Sequence, residues 1–134
     1  MQTEMISKLQ LTIAKLELKQ LEVIDKLSKK NNNEYVIRCI TCPDTNKFIS
    51  VNGDWGKVIG FNESECIGKS IFEFIAPYEL DRAKLEAIKM KHSEQFDSFI
   101  CDMIGKNGLP VSVDWRAKYF PNINAIVSIG RVKR

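Results

Sequence analysis

Between Leu109 and Phe120 the chain alternates apolar and polar residues with a period of two. Leu109, Val111, Val113, Trp115, Ala117 and Tyr119 fall on one side; Ser112, Asp114, Arg116 and Lys118 fall on the other. Successive side chains of a strand point to opposite faces, so this run predicts a strand with one buried face and one wetter face. A strand of that kind needs neighbours at its edges and apolar elements over its buried side. Turn chemistry flanks it: Gly105-Lys106-Asn107-Gly108 before, Pro121-Asn122-Ile123-Asn124 after. Phe96–Ile104 and Ala125–Arg131 therefore read as its hairpin-connected partners.

Upstream, Tyr35–Thr41 and Lys47–Val51 read as a first hairpin, turning over Pro43-Asp44-Thr45-Asn46. The middle is helical. Asp54–Ile59 reads as a short helix that stops at Gly60, and Asn62 is an N-cap with Glu65 three residues on, as in a capping box. Gly68 ends that turn, and Ile71–Ile75 is another short apolar segment. Pro77 occupies a first helical position, and Tyr78–His92 follows as the longest helix of this part. Its stripe is Leu80, Ala83, Ala87 and Met90, with Leu85 and Ile88 beside it. Two strands, several helices and three strands give an α+β class: a five-stranded antiparallel sheet covered on one face by short helices.

The N-terminal part is different. From Thr3 to Lys30 there is no Gly and no Pro. Ile6, Leu9, Ile13 and Leu16 follow three-four spacing; Gln20 breaks the register before Val23 and Leu27, and a shift to Ile24 and Leu27 resembles a coiled-coil stutter. Leu11, Ala14, Leu18 and Leu21 form a second apolar set on a neighbouring face. That surface is wider than a two-stranded seam requires. It suits a long amphipathic helix that pairs with a second copy on one face, through Ile6, Leu9, Ile13, Leu16, Val23, Ile24 and Leu27, and packs on its own domain with the other. A helix used only inside its own core is the alternative. Either way it needs a partner, because an isolated helix of this size is marginal in water. Ser28–Glu34 (SKKNNNE) breaks the helix. Residues 1–33 are thus a helix and linker, and residues 34–134 a domain.

Composition narrows the function classes. The 134 residues are 44% hydrophobic and 28% charged, which is globular rather than disordered. No apolar run approaches the roughly 20 residues of a membrane span, and the N-terminus lacks the apolar core of a signal peptide. A cytoplasmic, membrane-free protein is expected, with Cys39, Cys42, Cys66 and Cys101 reduced. The net charge of +3 is mild. Arg131, Lys133 and Arg134 form a small terminal cluster, Lys29 and Lys30 another, and both read as solvated rather than as a nucleic-acid surface.

Phe48-Ile49-Ser50-Val51-Asn52-Gly53-Asp54-Trp55, Val58-Ile59-Gly60-Phe61-Asn62-Glu63-Ser64-Glu65 and Ile67-Gly68-Lys69-Ser70-Ile71-Phe72-Glu73-Phe74-Ile75-Ala76-Pro77 follow one another in order. Together with Gly105–Gly108, Val113-Asp114-Trp115 and Ser128-Ile129-Gly130-Arg131 they resemble a PAS domain over Tyr35–Arg131. The leading helix resembles the flanking helices through which many PAS domains dimerise. The resemblance implies a sensory signal-transduction module that forms a homodimer, binds a small ligand in an apolar cavity and repacks against a signalling partner. The cavity candidates are Trp55, Ile59, Phe61, Ile71, Phe74, Ile75, Leu85, Ile88, Met103 and Trp115, with Phe72 beside them. The same side chains could instead fill the core, leaving a protein-interaction or dimerisation module without ligand. A haem or flavin redox sensor is the third reading.

The residues require no cofactor. In light-sensing relatives a cysteine follows the glycine that matches Gly68; here Ile71 stands at that position, and no Cys lies between Gly68 and Asp81. Haem needs an axial ligand, and the sole histidine, His92, sits among polar neighbours at a helix end. The Cys39–Cys42 pair has CxxC spacing but no second ligand pair for zinc, and it lies in a strand-like segment rather than at a redox helix start. No phosphate loop, HExxH or GxSxG is present, so no catalytic residue is assigned and an enzyme is not expected. An output enzyme domain, where one is needed, would lie outside these residues.

Overall fold

The computed structural model describes Thr12, Ile13, Lys15, Leu16, Lys19 and residues 33–133. Strands β1 (Glu34–Thr41), β2 (Phe48–Gly53), β3 (Asp97–Ile104), β4 (Pro110–Phe120) and β5 (Ala125–Lys133) form one antiparallel sheet in the order β2-β1-β5-β4-β3. The outermost strands of the sequence, β1 and β5, lie side by side at its centre, from Glu34 opposite Lys133 to Thr41 opposite Ile126. Between β2 and β3 the chain forms α1 (Trp55–Val58), α2 (Glu63–Cys66), 3-10 turns at Ile71–Phe74 and Pro77–Glu79, and α3 (Leu80–Met90). The α+β reading and the five-stranded sheet hold.

Local chemistry sets these elements. Asn62 caps α2 through Glu65, each side chain meeting the other's backbone N–H. Ser70 and Glu73 form a similar box at the head of the Ile71–Phe74 turn: the Ser70 hydroxyl accepts from Phe72 N–H, and Ser70 N–H donates to the Glu73 carboxylate. Pro77 opens a 3-10 turn, so α3 is shorter than the Tyr78–His92 read from the sequence. Gly53 ends β2 at φ +91, where a side chain would strike the Val36 carbonyl. Asp54 then continues the pairing with its own groups: its N–H donates to Val36 O at 2.9 Å and its carboxylate accepts from Val36 N at 3.1 Å.

The expected alternation is realised within β4, but Leu109, read as part of its buried side, precedes the strand in the turn and is 61% exposed. Val113, Trp115 and Ala117 are buried on the helix-covered face, while Asp114, Arg116 and Lys118 are only half-buried on the other. Strand β5 departs from it: Ala125–Val132 is buried on both faces. Its outward residues Val127 and Ile129 join Ile40, Ile123 and Ala125 in a second apolar cluster, and Ile13 packs against that cluster. Thr12, Ile13, Lys15, Leu16 and Lys19 are helical. Arg131 is not part of a solvated terminal cluster. It is buried and pairs with Glu34 at 3.0 Å, because its strand faces a covered surface. Lys133 is exposed, and Arg134, Lys29 and Lys30 lie outside the described residues.

The edge of β3 is sealed by the segment entering α3. Ala76 N–H donates to Asp102 O at 3.0 Å, Asp102 N–H donates to Glu79 at 2.8 Å, and Arg82 donates to Ile100 O at 2.6 Å. Arg82 also pairs with Glu79 at 2.8 Å, holding its carboxyl below the usual range, and stacks over the Phe99 ring at 4.5 Å.

Candidate functional site

The inner layer between helices and sheet has two unlike ends. At one, large rings interlock. Phe48 meets Trp55 edge-on at 5.4 Å and Phe74 at 5.5 Å; Phe61 meets Phe74 at 5.1 Å; Trp55 lies 6.3 Å from Trp115. The Trp55 indole N–H donates to Arg38 O at 2.8 Å, so the ring is fixed at its polar end too. Ile59 and Met103 are fully buried in the same cluster.

At the other end the facing side chains are small. Ala83 and Ala87 on α3 look across at Ala117 and Ser128 on the sheet, and a cavity of about 70 Å³ remains between them. Ile71, Phe72, Ile75, Met90, Phe99, Trp115 and Ile126 complete its apolar wall. Thr41, Asn46, Ser128 and Glu86 supply four polar groups. Both hydroxyl residues are buried, Thr41 at 5% and Ser128 at 7% exposure. This is a largely apolar hollow with a few convergent polar groups, the form that small-molecule sites take.

Of the residues assigned to a cavity from the sequence, Ile71, Ile75 and Trp115 line this one, with Phe72 beside them. Trp55, Ile59, Phe61, Phe74 and Met103 belong to the interlocked end. Leu85 and Ile88 are a correction: they are 60% and 59% exposed, because the turn of α3 that carries Ala83, Ala87 and Met90 inward carries them outward. Sequence reasoning missed Thr41, Ala117, Ile126 and Ser128. For Thr41, Ala117 and Ser128 the signal was a small or polar residue at an inward strand position, where a filled core would place a large one; Ile126, a large apolar residue, carried no such signal.

Of the seven residues assigned to helix pairing, Ile13 packs on the outer sheet face and Leu16 is 56% exposed. Ile6, Leu9, Val23, Ile24 and Leu27 lie outside the described residues.

The cysteines are all free; Cys39, Cys66 and Cys101 are buried, and Cys42 is partly so. Burial pushes the Cys39 and Cys101 thiols up to about 12, and raises that of Cys66. As thiols they are poor nucleophiles and poor ligands. Cys39 points to the core and Cys42 follows the strand, so the CxxC pair does not converge. His92 is exposed just beyond α3. Among the described residues no group of three His, Cys, Asp or Glu could hold a metal ion. None of the described helices is long and apolar enough to cross a membrane.

No family model matches the chain, and no curated protein does. Solved structures do. The PAS-B domain of Drosophila melanogaster Cycle with bound ethylene glycol superposes with a TM-score of 0.61 at 14% identity, over 75% of this chain and 99% of that one. The chain has the PAS fold. The PAS domain of the Cronobacter turicensis RpfR quorum-sensing receptor in complex with C12:0 gives 0.60 at 17% identity, over 75% and 93%. The PAS domain of an HTR-like protein from Haloarcula marismortui gives 0.60 at 16% identity, over 88% and 96%. In this PAS sheet, β5 carries the cavity on one face and the Ile13 cluster on the other.

Proposed function

We propose that the chain is a sensory module that binds a small, mostly apolar molecule in the cavity beneath α3 and passes the event through β5 to its N-terminal helix. The observation that carries this is the alternation within β5. Ile126 and Ser128 line the cavity, while Val127 and Ile129, between and beside them, form the outer cluster that meets Ile13. A ligand that prefers one packing of the sheet shifts the population of the other face with it. The Cronobacter receptor domain, which carries C12:0, supports a ligand role for such a fold. The apolar positions before residue 28 support a homodimer whose helices relay the shift to a signalling partner, in the cytoplasm and without catalysis by this chain.

A thermal-shift screen of small apolar metabolites tests the ligand step. At about a hundred times its Kd, a ligand adds about 2.7 kcal/mol of stability. A screen that leaves the melting temperature unmoved throughout refutes ligand sensing. Light scattering tests the helix: Leu9→Asp with Leu16→Asp lowers the oligomeric state and leaves the domain folded. An unchanged dimer removes that use of the helix.

A further inference from the structure

Outside the cavity, a groove of about 480 Å³ runs between the β1–β2 turn and α3. Asn46, Phe72 and Ala87 border both the groove and the cavity. The two spaces therefore adjoin along these residues, the inner one mostly apolar and only partly closed, the outer one more open. The groove alone falls within the usual size of a ligand site, and the cavity alone falls below it. Ile88, otherwise an unexplained exposed apolar residue, forms part of the groove floor.

The rim is charged. Lys84 and Lys91 stand seven residues apart on α3 and its cap, two turns along one face. The Lys84 ammonium lies 5.9 Å from the centre of the Phe72 ring, and no carboxylate among the described residues pairs with it. Lys91 meets Asp44 across the groove at 3.7 Å, a solvated and exchangeable pair. Deeper in, the carboxylate of Glu86 meets Lys89 at 3.5 Å. The groove thus carries two cations against one anion, and the cavity beyond it carries an acid that disfavours a buried anion.

We infer that groove and cavity together bind a small monocarboxylate, its tail in the cavity and its carboxylate at the mouth between Lys84 and Lys91. This rests on the ligand-binding reading above. Tail length is limited by volume: a hollow of about 70 Å³ admits only a short alkyl chain. Head-group placement follows from charge, since a carboxylate left at the mouth keeps its water and meets Lys84, whereas one pushed inward would be desolvated beside Glu86.

Calorimetric titration of the full chain with hexanoate, 1-hexanol and hexylamine tests it. Hexanoate should bind about tenfold tighter than hexanol. The gap should narrow as salt rises from about 0.05 M to about 0.5 M. Lys84→Gln with Lys91→Gln should bring hexanoate down to hexanol and leave hexanol binding unchanged, which also shows that the variant is folded. Equal binding of hexanoate and hexanol by the natural chain overturns the head-group assignment and leaves the cavity reading standing. So does a preference for hexylamine, or a hexanoate preference that survives the double substitution. No binding by any of the three overturns the inference and the reading beneath it together.

Discussion

The two ends of the PAS inner layer are made from opposite kinds of side chain. At the Trp55 end, Phe48, Phe61, Phe74 and Trp115 meet ring against ring, and the space is full. At the Ala87 end, Ala83, Ala117 and Ser128 stop short of one another, and a hollow remains. Both ends sit under the same helical layer and on the same sheet. The difference teaches that stability and ligand space are supplied by largely different residues here, with the Trp115 ring belonging to both, so most of each set can be changed without the other.

That separation can be broken on purpose. The largest effect is expected from Trp55→Ala, which removes a buried ring with two aromatic neighbours and its hydrogen bond to Arg38. A loss of about 3–5 kcal/mol in urea denaturation is expected; a loss below about 1 kcal/mol would show that the ring end is not the scaffold. Next comes Gly130→Ala. A methyl there would meet Val113 at 2.6 Å and Ile37 and Trp115 at 2.9 Å, so overpacking should cost about 1–3 kcal/mol. The smallest effect belongs to Ala87→Leu, which enters the hollow and should shift stability by less than about 1.5 kcal/mol while abolishing binding of any cavity ligand. A larger loss would mean the hollow is not free to be filled.

The frame was legible and the hollow was not, for physical reasons. Period-two alternation in β4, the Asn62–Glu65 cap and the turn at Gly105–Gly108 are each written in adjacent residues. The Ser70–Glu73 box carries the same spacing and was available to the same reading. Large apolar residues announce burial, so Trp55, Phe61 and Phe74 drew attention, yet their size is what fills their end of the layer. A cavity is defined by side chains that fail to reach, and Ala87, Ala117 and Ser128 carry no hydrophobic signal of their own. Leu85 and Ile88 misled because a short helix presents several apolar residues around its girth, and only its docking angle decides which face inward.

The contacts along β3 bear on how the protein behaves when crowded. An outermost strand with open donors and acceptors is a template onto which foreign strands grow. Here Ala76, Glu79 and Arg82 already occupy the outward groups of Ile100 and Asp102. Fibril-like extension from that margin is blocked at its middle, so the domain can accumulate in a cell with one of its two sheet margins already guarded.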